Sequence, residues 1–221
     1  MKIRYIISLL LAIVLSVITD YSKANAESLS KQAEIAKKKN NILIVYFSMP
    51  ETTDPNNMSR EEDNSAVVVN GKVMGNTQYV ASVIQEYTGG DIYRIEPEIP
   101  YPLFHKTLIN QAHEEKKQNA RPKIKIRIKN PERYNTIFIG YPNWWGDMPM
   151  ILYTFFDTYN LKGRKIIPFN THGGNGFSNT IDTIEKLEPA ATVERNGYSV
   201  SRNNVQNARF EIIAWLKTLG Y

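Results

Sequence analysis

Two tryptophans stand side by side in the segment YPNWWGDMP, which covers residues 141–149. Neighbouring side chains in a loop rarely both enter one core, so at least one of the two indoles is expected to face something else. An exposed indole is a flat, apolar wall on which a planar aromatic molecule can stack. Both rings could instead pack against neighbouring loops. The residues that could line such a site are Pro142, Asn143, Trp144, Trp145 and Gly146.

A second candidate site combines Ser48 with the tripeptide Gly75-Asn76-Thr77 at the start of a predicted helix. The first turn of a helix has unpaired N–H groups at the positive end of its dipole, and hydroxyl groups add donors. A phosphate group could therefore bind here without a lysine. Neither the Gly-Lys-Ser/Thr of a Walker loop nor GxGxxG occurs at this position. The alternative interpretation is an ordinary helix cap at Thr77.

The glycine-rich segment NTHGGNGF, residues 170–177, follows another apolar run. Glycines such as Gly173 and Gly174 let the backbone approach a ligand closely. Thr171, His172 and the backbone N–H groups would supply hydrogen-bond donors. The same glycines would also suit a mobile connection between a strand and a helix. No GxSxG elbow occurs, so the sequence does not indicate a catalytic triad.

The composition excludes several classes of function. The chain has no cysteine, which rules out disulfides, thiolate metal sites and thiol catalysis. Its net charge of +5 over 221 residues is weakly basic, so nucleic acid is not an expected partner. His105 and His113 share a polar helix pattern without an HExxH motif, and we predict no metal site there.

Apolar runs alternate with helical patterns along the chain, which predicts an α/β fold with a parallel sheet and right-handed crossovers. Continuous runs such as NILIVYFS indicate strands that are covered on both faces. The predicted strands are 41–48, 91–97, 135–142, a strand from 164 into the glycine-rich segment, and a broken strand at 191–201. The predicted helices lie within 75–90, 102–122, 149–159, 177–189 and 205–220.

Two further segments have patterns of their own. A long polar insertion, residues 49–74, contains VVVNGKVM, which predicts a hairpin with a type I′ turn at Asn70-Gly71. The segment KIKIRIK, residues 123–129, alternates strictly and predicts a short edge segment with a solvated cationic side. Its isoleucines, Ile126 among them, would share the other side.

The segments ILIVYFS…GNT, IFIGYPNWWGDMPM and FNTHGGNGF together resemble those of the flavodoxin family, over roughly residues 41–219. The resemblance implies a three-layer α/β sandwich with helices on both faces and the hairpin insertion after strand one. The five-stranded parallel sheet would have the order 2-1-3-4-5. The chain departs from the family pattern in two respects, because residues 49–74 interrupt the phosphate loop and the net charge is positive.

The resemblance also implies FMN as a non-covalently bound cofactor. Ser48, Asn76 and Thr77 would cradle its phosphate. Pro142 belongs to the loop whose residues Asn143, Trp144, Trp145 and Gly146 would line the isoalloxazine ring. The pyrimidine side of that ring would be closed by Thr171, His172, Gly173, Gly174 and Phe177.

The expected function is electron transfer to a redox partner protein or a small redox molecule. One alternative is an FMN-dependent NAD(P)H:quinone or nitro-compound reductase. A second alternative is a non-catalytic binding module on a flavodoxin fold. The sequence has no second glycine-rich phosphate turn for a dinucleotide, which favours the electron carrier.

The N-terminus has the pattern of a secretory signal peptide. Lys2 and Arg4 precede an apolar run of 14 residues, and Ala24-Asn25-Ala26 matches a cleavage site. The run is short for a membrane span, although an uncleaved anchor is the alternative. We expect a signal peptide at 1–26, a polar tether or short frayed helix at 27–40 and a flavodoxin-like domain at 41–221. The mature protein would be periplasmic or extracellular, without a stable membrane anchor.

Cleavage after Ala26 predicts that the exported protein begins at Glu27. N-terminal sequencing of protein recovered from the exported fraction would check this. Recovery of a chain that retains Met1 would contradict the prediction.

Overall fold

The computed structural model describes residues 19, 21–30 and 41–221. It contains two units, Met1–Lys39 and Asn40–Tyr221. In the first unit, residues 21–30 are helical. The predicted apolar run and most of the predicted tether lie outside the described residues, so both remain predictions. None of the helices in the described ranges is long and apolar enough to cross a membrane.

The second unit alternates strands and helices, as the sequence predicts. Its strands are β1 (Ile42–Tyr46), β2 (Ala66–Val69), β3 (Lys72–Gly75), β4 (Asp91–Arg94), β5 (Thr136–Pro142), β6 (Lys165–His172), β7 (Thr192–Val193) and β8 (Tyr198–Ser201). Its helices are α1 (Arg60–Ser65), α2 (Asn76–Thr88), α3 (His105–Lys117), α4 (Met150–Thr158), α5 (Thr180–Leu187) and α6 (Arg209–Thr218). Short 3-10 turns cover Pro131–Arg133 and Val205–Asn207.

The main sheet has the order β4-β1-β5-β6, with β7 and β8 both beside β6, and every pair is parallel. The two short strands β7 and β8 together take the place of the fifth strand. The predicted order 2-1-3-4-5 and the broken final strand are therefore confirmed. Parallel pairing brings the carboxyl ends of β1, β5 and β6 to one edge of the sheet.

The sheet is covered on both faces because successive side chains of a strand point to opposite sides. Leu43 and Val45 of β1 belong to a core with residues of α3, α4 and α5. Ile42 and Ile44 belong to a second core with residues of α2 and α6, where Trp215 is buried as expected. The three-layer α/β sandwich follows from this division.

The insertion forms an antiparallel hairpin of β2 and β3 with a two-residue turn. Asn70 and Gly71 both have positive φ, +51° and +74°, which agrees with the predicted type I′ turn. Val67 of the hairpin is buried in the second core. Helix α1, which the sequence patterns did not predict, begins with a capping box between Ser59 and Glu62.

The prediction for residues 123–129 is wrong in part. The segment makes a single bridge, between Ile124 and Pro97, and no continuous strand. Ile126, which was expected on the inner side, is 61% exposed. In this antiparallel register Ile126 would face Ile95, which lies just beyond the end of β4 and donates its N–H to the Tyr46 carbonyl instead.

Candidate functional site

A cavity of about 240 Å³ opens at the carboxyl edge of the sheet, beyond β1, β5 and β6. This is the position at which open α/β sheets bind their ligands. The predicted site residues that line it are Ser48, Asn76, Thr77, Pro142, Asn143, Trp144, Trp145, Thr171, His172 and Gly173. Gly146, Gly174 and Phe177 lie outside its lining, and Phe177 instead packs against the first core.

One end of the cavity is formed where the insertion leaves and rejoins the fold. A Cβ atom at Gly75 would lie 2.2 Å from the Ser48 Oγ, so this approach requires glycine. The Ser48 hydroxyl has no hydrogen-bond partner within the described part of the chain. Gly75 is also the N-cap of α2. The free N–H groups of the first turn of α2 therefore begin beside the Ser48 hydroxyl.

The side chains of the first turn of α2 have different tasks. The sequence suggested Thr77 as a possible helix cap, but the residue does not cap α2. Its hydroxyl instead forms a hydrogen bond of 2.9 Å with the Thr171 hydroxyl. This buried contact joins α2 to the end of β6. Asn76 donates from Nδ2 to the carbonyl of Asn64 in the insertion, at 2.8 Å. Its Oδ1 atom is buried without a partner in the described structure.

The two tryptophans belong to a tight turn from Trp144 to Asp147. The backbones of Trp144 and Asp147 exchange hydrogen bonds of 2.9 and 3.0 Å. Trp145 and Gly146 both have positive φ, +55° and +73°. Such a conformation is uncommon for a bulky residue and costs on the order of 1–3 kcal/mol.

Helix α3 holds Trp145 in this conformation. Lys116 donates from Nζ to the Trp145 carbonyl at 2.7 Å. The indole Nε1 of Trp145 in turn donates to the carbonyl of Ile109 at 3.0 Å. Since both ends of the residue are bonded to α3, the orientation of the indole is fixed.

The two indoles face different surroundings. Trp144 packs edge to face against Phe47 and Tyr101, with ring centroids 5.4 and 5.5 Å apart. Trp145 is 52% exposed and contributes to the cavity wall. The expectation that at least one indole faces away from the core is confirmed, and Trp145 is that residue.

The third loop is tied to the second through Asn143. Its Nδ2 donates to the Gly176 carbonyl at 2.8 Å and to the Ser178 Oγ at 3.0 Å. Its Oδ1 accepts the Gly146 N–H at 3.0 Å. The Asn143 side chain therefore braces the two loops, and Gly146, although outside the lining, holds the turn in place.

His172 is held in one tautomer. Its Nδ1 accepts the Gly174 N–H at 3.0 Å, which places the proton of the neutral ring on Nε2. Burial lowers the pKa of His172, because a charged imidazolium loses solvation there. The residue is therefore a neutral donor at the cavity wall.

Sequence patterns missed part of the lining, namely Met49, Glu51, Glu61, Asn64, Ser65, His105, Leu108, Ile109, Ala112 and Arg202. The apolar positions of α3 could have been found from their helical spacing. The others are His105, which begins α3, and residues of the insertion and of the end of β8, where no motif marks them. Glu51 is 8% exposed and bonds the His105 Nδ1. Arg202 lies over Gly173, and its guanidinium has no partner among the described residues.

No group of three or more His, Asp or Glu in the described ranges is arranged to hold a metal ion.

The lowered pKa of His172 predicts how the free energy of unfolding depends on pH. Above pH 6.5 the ring is neutral in both the folded and unfolded chain. As the pH falls through 6.5, the unfolded chain takes up the proton first, so the folded state loses stability. We expect an NMR titration midpoint for His172 below 6.5. A smaller loss of unfolding free energy between about pH 7.5 and about pH 5.5 is expected in His172→Gln. A midpoint at or above 6.5 would contradict this.

Residues 66–219 match the sequence model of the Flavodoxin family. Several solved structures have a similar fold. A candidate flavoprotein from Bacteroides eggerthii is 27% identical with a TM-score of 0.61, and the match covers 82% of this chain and 98% of that one. A candidate flavoprotein from Bacteroides uniformis is 23% identical with a TM-score of 0.56, over 77% and 97% of the two chains.

A flavoprotein from Lactobacillus acidophilus, in complex with FMN, is 17% identical with a TM-score of 0.54, over 76% and 97% of the two chains. At these lower identities the likeness concerns the fold. No curated protein matches the sequence. The family match covers more than half of the chain and the fold agrees with it, so this protein belongs to the flavodoxin family.

Proposed function

We propose that the protein binds FMN non-covalently in this cavity and transfers electrons through it. The observation that carries the proposal is the convergence of three loops at the carboxyl ends of β1, β5 and β6, in a chain of the flavodoxin family. One loop offers an anion site, one an aromatic wall and one a set of neutral donors. These three properties match the phosphate, the flat ring and the polar ring edge of FMN.

The residues present fit the cofactor. The Ser48 hydroxyl and the first N–H groups of α2 would bind the phosphate without a cationic side chain. The unpartnered Oδ1 of Asn76 would accept a hydrogen bond from a ribityl hydroxyl. Of the two nearby carboxylates, Glu51 is paired with His105 and Glu61 is exposed to solvent. When bound, FMN would supply reversible uptake of electrons, which no side chain of this chain can provide.

The other residues would position the ring and tune it. Trp145 would stack on one face, and the Nε2–H of His172 would donate to the polar edge of the ring. A fixed donor at that edge favours negative charge that develops there on reduction. A bound flavin with a stacked ring and a fixed donor at its polar edge is sufficient for electron transfer by a carrier.

Replacement of Trp145 by alanine is expected to weaken FMN binding about tenfold to hundredfold, since stacking of a base on an aromatic side chain contributes about 1–3 kcal/mol. Fluorescence titration of the cofactor-free protein with FMN would measure the change in Kd. Phe210→Ala, which removes another exposed aromatic residue on α6, is the matched control and should leave Kd unchanged. An unchanged Kd in Trp145→Ala would show that the wall lies elsewhere.

The carrier and the nicotinamide-dependent reductase differ in their electron donor. We expect FMN-loaded protein to be reduced readily by dithionite but slowly by NADH or NADPH under anaerobic conditions, because no dinucleotide motif is present. Flavin absorbance followed in a stopped-flow instrument would measure this. Bleaching by a nicotinamide within about 0.1 s, a median turnover time, would favour the reductase. A colourless protein that does not take up FMN would favour the binding module.

The place of action is also part of the proposal. The charged start, apolar run and Ala24-Asn25-Ala26 support export through a cleaved signal peptide. An exported carrier would pass electrons to a redox partner protein or a small redox molecule outside the cytoplasm.

A further inference from the structure

The charges of the domain are unevenly distributed along its sequence. Residues 41–221 contain 20 lysines and arginines and 19 aspartates and glutamates, which gives a net charge of +1. The nine residues RPKIKIRIK, 121–129, contain five of these cations and no acidic residue. The rest of the domain has 15 cations and 19 acidic residues, so its net charge is −4. Residues 121–129 are called the basic segment below.

The basic segment is held beside β4, an edge strand of the main sheet. Two main-chain hydrogen bonds, of 2.8 and 2.9 Å, join it to the residues that follow β4. The Tyr93 hydroxyl of β4 donates to the Ile126 carbonyl. Ile124 and Ile128 pack against the first core. The segment is therefore a fixed part of the protein surface, although it forms no continuous strand.

Most of the charge on this segment is not neutralised by the protein. Arg121 and Lys123 each lie near a carboxylate, at 2.5 and 3.9 Å. The other three cations, Lys125, Arg127 and Lys129, are exposed and have no ionic partner among the described residues. Three unpaired cations within five residues create a positive potential that attracts an anionic partner.

Exposed isoleucines accompany these cations. Ile126 is 61% exposed, although the isoleucines on either side of it in the alternating pattern pack against the core. Ile99 is 82% exposed, and it directly follows Glu98, whose N–H donates to the Lys123 carbonyl. The surface therefore combines positive charge with apolar side chains. Such a surface suits a lipid interface, where phosphates lie above the apolar chains.

We propose that the basic segment binds the protein to the surface of a membrane that contains anionic phospholipids. The cations would lie at the level of the lipid phosphates, and Ile126 would enter the boundary between headgroups and acyl chains. The same membrane surface repels the net negative charge of the rest of the domain. Attraction and repulsion together orient the protein with the basic segment towards the lipid.

A membrane fits the position of the basic segment better than an acidic redox protein does. None of its residues is among those that line the cavity. A protein that exchanges electrons with a cofactor has to approach the cavity, whereas a membrane surface needs no access to it. The signal-peptide pattern, which supports export, also places the chain beside a membrane.

Flotation with lipid vesicles tests the proposal. The exported protein without residues 1–26 is used, because the apolar run would itself enter lipid. We expect the protein to float with phosphatidylcholine vesicles that contain about 30% phosphatidylglycerol, and not with vesicles of phosphatidylcholine alone. Binding should be lost at about 0.5 M salt, since screening weakens the attraction. Absence of binding to the anionic vesicles at low salt would overturn the proposal.

The triple variant Lys125→Gln/Arg127→Gln/Lys129→Gln should bind the anionic vesicles about a hundredfold more weakly. Each cation near such a surface contributes about fivefold to the affinity, and three are removed. The substituted side chains are exposed, so the thermal unfolding of the variant should match that of the native protein. Unchanged binding would overturn the proposal.

The matched control is Lys72→Gln/Lys186→Gln/Lys217→Gln, which removes the same charge from exposed lysines on β3, α5 and α6. It should bind nearly as well as the native protein. An equal loss in the control would overturn the proposal, because it would show that binding follows the net charge alone.

A tryptophan at the exposed isoleucine distinguishes lipid from other polyanions. In Ile126→Trp we expect the added fluorescence to shift to shorter wavelength with anionic vesicles, as the indole leaves water. An unshifted emission from vesicle-bound protein would overturn the proposal. Binding to soluble polyglutamate but not to vesicles would also overturn it and would favour an acidic protein partner. None of these measurements requires FMN, so failure to bind FMN would refute the proposed function alone.

Discussion

The approach of Gly75 to Ser48 is the constraint on which the site depends. The chain leaves the sheet after Ser48, runs through the insertion and returns at Gly75, and the two residues meet where a Cβ atom would be 2.2 Å from the serine oxygen. Because Gly75 is also the N-cap of α2, this contact sets where the helix starts. The Thr77–Thr171 hydrogen bond then connects that start to β6. Residues 49–74 separate the two parts of this site in the sequence, and Gly75 brings them together because it has no side chain.

The second constraint is the turn at Trp145. A left-handed tryptophan is unfavourable by itself, and it persists because α3 bonds both its carbonyl and its indole. Helix α3 is therefore part of the site and not only a cover for the sheet. The same helix begins with His105, so the aromatic wall and the imidazole are positioned by one rigid element. Asn143 adds the third loop to this arrangement through its side-chain amide.

Much of the fold could be predicted from the sequence because its signals are local. Continuous apolar runs and intervening helical periods identify buried parallel strands, and residues at the ends of those strands must meet at one edge. The predictions that failed depend on contacts between residues that are far apart in the sequence. Thr77 looks like a cap until its partner, Thr171, is known. Ile126 looks internal until Ile95, which would face it, is found bonded to Tyr46 at the end of β1. Glu51 and His105 are 54 residues apart, and neither sits in a motif.

The same contacts determine which charged and polar groups line the cavity. The proposed phosphate end would rely on a hydroxyl and on helix N–H groups instead of a lysine or arginine side chain. Burial raises the pKa of the Glu51 carboxyl, and the neighbouring His105 acts in the opposite direction. Arg202 stands at the opposite end, over Gly173 and without a side-chain partner in the described structure. A cavity with neutral hydroxyl and N–H donors together with an unpaired guanidinium favours a ligand that carries or gains negative charge.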